Sequence, residues 1–329
     1  MEGNAYSLLL LIMFKTFQYI GVVLSATILL FLKNLEDKYS TIFCLTLILL
    51  LGIPHGAVDH KIHQTTSKQK NISIYFIAYL FISAGYVVLW ILDPAKSLVI
   101  FFILSSYHFG QELLEDVKMK RINPAFSLLW GFLILIAPIF FNPLEVDFFV
   151  NTLTGYSLKG VSQFQSFSIV FIIYLMALIH LIYAYTKKHL EKIKFKHLLL
   201  FVSINTVLHL TLDFVAAFTI YFICFHSLNA FKHQYDWLSL NKKGYNLKKF
   251  IIDLSGFSIL SIFGIVFLLL VFKPSNQASL ITLFFIMISI VTLPHVITLD
   301  QFYKVKKVKI NQLNSSNLDN KEVSSLTKH

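Results

Sequence analysis

Ser97-Leu-Val-Ile-Phe-Phe-Ile-Leu-Ser-Ser-Tyr-His-Phe-Gly-Gln-Glu112 is the stretch that decides the fold class. No side chain from 97 to 111 carries a full charge, and the apolar stretch 97–114 is long enough to cross a hydrocarbon core about 30 Å thick as a helix. A barrel strand would alternate polar and apolar residues, and this stretch does not. Runs of the same kind recur along the chain, at about 16–32, 40–58, 72–92, 97–114, 125–142, 165–186, 197–211, 214–231, 249–272 and 278–303. Composition agrees: the 329 residues are 56% hydrophobic, 16% aromatic and 14% charged, whereas a soluble domain carries about 25% charged residues. Mean hydropathy is +0.70. The chain reads as all-α, a polytopic transmembrane helix bundle of about ten spans, with eight to ten as the range. The seventh and eighth runs are short, and only Thr211, Leu212 and Asp213 separate them, so a tight hairpin is expected there.

The net charge of +11 is distributed as topology rather than as a nucleic-acid-binding face. Lysines and arginine crowd alternate loops: Lys61, Lys68 and Lys70; Lys118, Lys120 and Arg121; Lys187 to Lys196; Lys232 to Lys249; Lys304 to Lys309. The intervening loops are poorer in cations, and one holds Glu145 and Asp147. An excess of lysine and arginine marks the cytoplasmic side, so both termini are expected in the cytoplasm and the protein in the cell membrane. Residues 1–310 form one membrane domain, and the Ser/Asn/Lys-rich tail 311–329 reads as disordered. The first apolar run, Ser7 to Phe14, leads into another and reads as no cleavable signal. Cys44 and Cys224 lie inside apolar runs, which argues against a disulfide framework.

Histidine inside a membrane span is costly and marks function. On this topology His55, in Gly52-Ile-Pro-His-Gly-Ala-Val-Asp-His60, lies at the cytoplasmic end of the second span; His108, His226 and His295 lie in the inner halves of the fourth, eighth and tenth. Four helices thus bring an imidazole to one depth. Imidazole suits iron, zinc, copper and nickel, and a set without thiolates argues against a structural zinc cage. His55, His108 and His226 are the expected ligands. Pro54 and Gly56 should bend the helix at His55, and irregular backbone at that depth belongs where it is buried or lines a cavity. Asp59 and Glu112 each follow a histidine by four residues, about 40° round a helix, and are expected to accept the second ring N–H of His55 and His108 and so fix the tautomer.

The strings Gly-Ile-Pro-His-Gly-Ala-Val-Asp-His at 52–60, Tyr-His-Phe-Gly at 107–110, His-Ser at 226–227 and Leu-Pro-His at 293–295 are similar to those of the Brp/Blh family, the bacterial and archaeal membrane β-carotene 15,15′-dioxygenases. The likeness runs over roughly 40–305. It implies an Fe(II)-dependent enzyme that uses O2 to split the central double bond of β-carotene into two retinal molecules, with a microbial rhodopsin as a retinal acceptor. In the family iron is assigned to four histidines, and three carry over onto His55, His108 and His226. The fourth would fall four residues after the histidine of His-Ser, where this chain has Ala230. That leaves the fourth place to His60, His233 or His295, or to an open position. The family usually has Asp where Glu112 stands.

The other readings follow from the same residues. With Ala230 in that place the chain could be a non-catalytic carotenoid- or retinal-binding membrane accessory protein. An ion-coupled transporter would place its polar groups near the midplane of two corresponding halves, a pattern the sequence lacks. A retinal Schiff base needs a lysine deep in a span, and Lys15, at a helix entrance, is the one candidate.

Overall fold

Turn chemistry delimits the helices. Asp93 accepts the backbone N–H of Lys96 while Pro94 takes the first helical position, and Asn123, Phe126 and Pro124 repeat the arrangement. Asn71, Asp213 and Asn246 accept from Ser73, Ala216 and Lys249, and Ser162 with Gln165 forms a reciprocal capping box. Each such side chain satisfies a backbone N–H that the first helical turn leaves without a partner.

The computed structural model describes residues 16–309, apart from 32–36, 70, 118, 120–122, 142, 158–159 and 161, with the side chains of 37–38, 145 and 277–278 also outside the description. The tail at 311–329, the run Ser7 to Phe14, Lys15, and the cations Lys70, Lys118, Lys120 and Arg121 lie outside the described residues. The helices are α1 (Thr16–Phe31), α2 (Tyr39–Thr66), α3 (Ile72–Leu92), α4 (Pro94–Asp116), α5 (Pro124–Phe141), α6 (Pro143–Thr154), α7 (Gln163–Thr186), α8 (Lys192–Thr211), α9 (Phe214–Asn241), α10 (Leu247–Phe272) and α11 (Ser279–Lys309). Nine of them are long and apolar enough to cross a membrane, and α1 is apolar but shorter. The described residues contain no strand. The chain is a polytopic, all-helical membrane protein.

The tight hairpin is present, with only Leu212 and Asp213 between the two helices, but its spans are not short: α8 and α9 run to 20 and 28 residues. Lys192, Lys194 and Lys196 begin α8, and the polar stretch after Phe231 belongs to α9. Lysine stems lie along apolar surface with the charged end in water, so a helix continues beyond its apolar part. Cys44 and Cys224 are free thiols, as expected.

Two helices form the centre. In α9 72% of the apolar window is buried and in α4 56%, against 6% in α3 and 11% in α10, which stand at the periphery. In lipid the hydrophobic effect does not drive helices together, so close backbone approach has to supply the packing. Helices α4 and α5 achieve this with two matched pairs of small residues, Ser106 and Gly110 against Ser127 and Gly131. A Cβ at Gly110 would stand 1.8 Å from the Ser127 carbonyl oxygen, and one at Gly131 would stand 1.7 Å from that of Ser106. His108 lies between Ser106 and Gly110, so this crossing sets its position.

The central helices are also irregular. In α2 a π-helical turn, Ile48–Gly52, passes into a 3-10 turn, Ile53–Gly56; π-helical turns also occupy Phe132–Ile136 in α5 and Phe222–Ser227 in α9. Helix α11 contains Pro294. Such interruptions gather at functional sites, and three of them hold or adjoin a histidine: His55, His226 and His295.

Gly110→Ala and Gly131→Ala should each destabilise the protein by about 3 kcal/mol or more, at or above the upper end for overpacking. Gly256→Ala, where an added Cβ meets nothing within 4 Å, should be neutral. Thermal unfolding in detergent measures all three, and equal midpoints would refute the crossing as the fixed point of the bundle.

Candidate metal centre

His55 owes its direction to the change of helix type. The 3-10 turn swings its ring inward, and Nδ1 hydrogen-bonds to the carbonyl of Gly52. Gly52 has no side chain because a Cβ there would stand 2.5 Å from the Phe222 ring; Phe222 in turn stacks on His226, with ring centres 5.2 Å apart. The π turn of α9 carries His226, and Gln18 of α1 donates to the Cys224 carbonyl within that turn at 2.9 Å and to Asn229 Oδ1 at 2.8 Å. Gln234 donates to the His55 carbonyl at 2.9 Å. Buried amides thus accept the task of satisfying carbonyls at irregular turns.

Four imidazoles meet in a closed ring of contacts. Ring centres are 4.9 Å apart for His55 and His226, 5.1 Å for His226 and His108, 5.3 Å for His108 and His295, and 4.8 Å for His295 and His55. Each ring stands at 81° to 85° to its neighbours. All four side chains are buried, His108 to 1% exposure. Asp59 and Glu112 are buried beside them.

The carboxylates serve other histidines than the sequence spacing implied. Asp59 Oδ2 lies 2.7 Å from His295 Nδ1, and Glu112 Oε2 lies 2.5 Å from His226 Nδ1. Asp59 does not reach the His55 ring because the 3-10 turn breaks the helical spacing assumed between 55 and 59. Glu112 shares helix α4 with His108 but reaches across to α9. Hydrogen bonds therefore hold two Nδ1 atoms, that of His55 by Gly52 and that of His295 by Asp59, while Glu112 faces the Nδ1 of His226 as an ion-pair contact. Both ring nitrogens of His108 and of His226, and the Nε2 atom of His295, are buried without a hydrogen-bond partner. Tyr107 anchors the neighbouring turn, donating to Asp300 Oδ1 of α11 at 2.7 Å.

The remaining histidines lie elsewhere. His60 packs on Phe76 and Phe257. His233 faces Tyr303 and Asp116, with Nε2 3.9 Å from Asp116 Oδ1. Ala230 is buried on α9. His180 accepts from Trp130 Nε1 at 2.9 Å.

The donor set fits a metal ion. An imidazole nitrogen about 2.1 Å from an ion places its ring centre about 3.2 Å away, and two such rings at 90–110° have centres roughly 4.6–5.3 Å apart. The four contacts match that span. Buried nitrogens with no partner are otherwise costly, and carboxylates behind imidazoles are a usual support for metal ligands. His108, Glu112 and His226 also offer ligand atoms within 4.8 Å of one another.

A cavity of about 490 Å³ opens beside the four rings. Its wall is almost wholly apolar and rich in phenylalanine: Phe101, Phe102, Phe109, Phe149, Phe218, Phe222, Phe284 and Phe285 all line it, and His55, His108, His226 and His295 close it on one side. The small residues Ser261 and Gly264 of the peripheral helix α10 form part of the wall.

Fold and site together define a multi-pass helical membrane protein with a buried histidine–carboxylate centre facing an apolar cavity. The chain belongs to the β-carotene 15,15′-dioxygenase family, whose model matches residues 46–303. A relative named beta-carotene 15,15′-dioxygenase, from an uncultured marine bacterium (66A03), is 31% identical over 70 residues, or 20% of this chain. The matched segment spans 26% of that relative's length. No solved structure matches the chain.

Of the residues left open for the fourth place, His295 stands in the ring, and His60 and His233 do not. His295→Ala should therefore lower bound divalent metal as far as His55→Ala does, while His60→Ala and His233→Ala keep the wild-type stoichiometry. Elemental analysis of the purified variants checks this, and full metal content in His295→Ala would remove it from the set.

Proposed function

We propose that the protein is an Fe(II)-dependent dioxygenase that cleaves β-carotene at its central 15,15′ double bond, adding O2 across that bond to give two molecules of retinal. The observation that carries the reading is the ring of four imidazoles closing one side of a phenylalanine-walled cavity inside a membrane protein. Family membership supports it, as does the relative's name.

His55, His108, His226 and His295 would hold the iron as neutral nitrogen ligands. Bound there, Fe(II) supplies redox chemistry toward O2 and open positions for it, which all-imidazole sets permit. Asp59 and the Gly52 carbonyl orient the rings of His295 and His55 and fix Nδ1 there as the protonated nitrogen, leaving Nε2 for the ion, and Glu112 stands against His226 as a carboxylate beside the same centre. The cavity wall binds a C40 polyene by burial of apolar surface and keeps water from reactive species. The substrate is itself soluble in lipid, so it can reach this wall from the bilayer without crossing water.

His295 at the centre also bears on the non-catalytic alternative. The alanine at 230 removes one imidazole from α9, and α11 brings a fourth to the same ring. An intact set of four donors supports catalysis over passive carotenoid binding.

Purified protein reconstituted with Fe(II) and supplied with β-carotene and O2 should yield retinal as the sole cleavage product, detected by its absorption and mass. Folded, iron-loaded protein that makes no retinal would leave only the carotenoid-binding reading. Asp59→Asn should keep the fold and weaken iron affinity by about 10–100-fold, read as the Fe(II) concentration giving half-maximal activity.

A further inference from the structure

The histidine ring is a partition between two unlike spaces. On one side is the apolar cavity. Behind His226 is a second pocket, about 40 Å³ in volume and thus larger than the roughly 10–15 Å³ that one water requires. Only Phe109 and His226 line both. The second pocket's polar lining runs from Glu112, His226 and Asn229 to Asp116, Lys194, His197 and Tyr19. Asp116 is the last residue of α4, Lys194 lies in the first turn of α8, and Tyr19 lies in the first turn of α1. The pocket therefore extends from the buried centre to the helix ends, where the chain turns into loops.

We propose that this pocket is the route by which a divalent cation reaches the histidine ring from the aqueous side, with Asp116 and then Glu112 receiving it in turn. The inference rests on the metal-centre reading above. Three observations support it beyond the acidic pair. His226, 2% exposed, lines the pocket with its Nδ1 2.5 Å from Glu112 Oε2, and neither of its ring nitrogens has a hydrogen-bond partner. Glu112 offers a ligand atom within 4.8 Å of those of His108 and His226, so an ion leaving Glu112 is already within reach of two imidazoles. Asp116 and Glu112 are also four residues apart on one helix, hence on one face and about 6 Å apart along it.

The physical ground is solvation. Moving an ion through the apolar cavity would strip its water with nothing to replace it, at a cost of several kcal/mol even after relaxation. The second pocket supplies the carboxylate oxygens of Asp116 and Glu112 and the ring nitrogens of His197 and His226, with Lys194 as the one cationic side chain among the described residues along it. The apolar molecules, carotenoid and O2, take the other side. The two reactants and the metal then never compete for one entrance.

The test uses full-length protein stripped of metal by chelation and mixed with Co(II), whose visible ligand-field bands report binding. Asp116→Asn should slow uptake about tenfold, with the final Co(II) stoichiometry at the wild-type value. Filling the apolar cavity with β-carotene beforehand should leave the wild-type uptake rate unchanged. An unaltered rate in Asp116→Asn, or uptake blocked by carotenoid, would overturn the route while leaving the metal centre standing. A reduced final stoichiometry in Asp116→Asn would make Asp116 part of the binding set and would also overturn it. A wild-type protein that binds no Co(II), Fe(II) or Zn(II) would remove the metal centre and the route together.

Discussion

Six ionisable groups sit together in a bundle whose outer solvent is hydrocarbon: four imidazoles and the carboxylates of Asp59 and Glu112. Everything else in the structure follows from making that tolerable. A buried polar group with no partner costs several kcal/mol relative to water, and a bilayer offers no water to correct the error. The two carboxylates therefore each meet an Nδ1, and the carbonyl of Gly52 meets a third. The nitrogens left over converge on one another across four helices. Under the proposed function an ion satisfies these nitrogens, since its chemistry matches a set of neutral imidazoles.

Holding the rings requires rigid helices to bend at chosen points. A straight α-helix repeats its side-chain directions every 3.6 residues or so, and a helix that keeps that repeat throughout offers one fixed set of directions. The π turns in α2 and α9 and the 3-10 turn at Pro54 change the local phase. The carbonyls that such turns leave exposed are then met by Gln18 and Gln234. The opposite requirement holds at α4, where His108 must not drift. There the backbones of α4 and α5 touch through Gly110 and Gly131 with no space for a methyl group.

Much of this was legible in the residues. The apolar runs gave the helical membrane class and the cores of the spans, but not the short helix α6 or the polar extensions of α2, α8 and α9, where charged and polar residues inside a helix resemble a loop. The convergence of His55, His108 and His226 followed from depth alone, because depth depends on position along a span. What sequence spacing does not reveal is direction around a helix once the helix is irregular. Asp59 was assigned to His55 on an ideal four-residue repeat and serves His295, 236 positions away. Glu112 keeps its ideal repeat yet points across to another helix. His295 could not be chosen over His60 or His233, because the choice depends on how α11 packs against α2. One signal was there to be read: Ser106-x-x-x-Gly110 and Ser127-x-x-x-Gly131 are small-residue pairs at the spacing of close helix crossings.

If His295 takes the fourth ligand place, as proposed, the exchange of one position for another has a physical logic. Two histidines four residues apart on one helix act as a unit, because any shift of that helix moves both. Distributing the four donors one to a helix, as α2, α4, α9 and α11 do here, makes the centre depend on the whole bundle instead. Each helix can then be displaced by a neighbour's strain, and the carboxylate behind each ring becomes more important as a restraint. That accounts for Asp59 lying behind His295: the donor that α11 contributes needs its own anchor, and α2, which already delivers His55, supplies it. The 3-10 turn that denies Asp59 to His55 is the same turn that frees it for His295, so one local distortion of the chain serves two members of the ring.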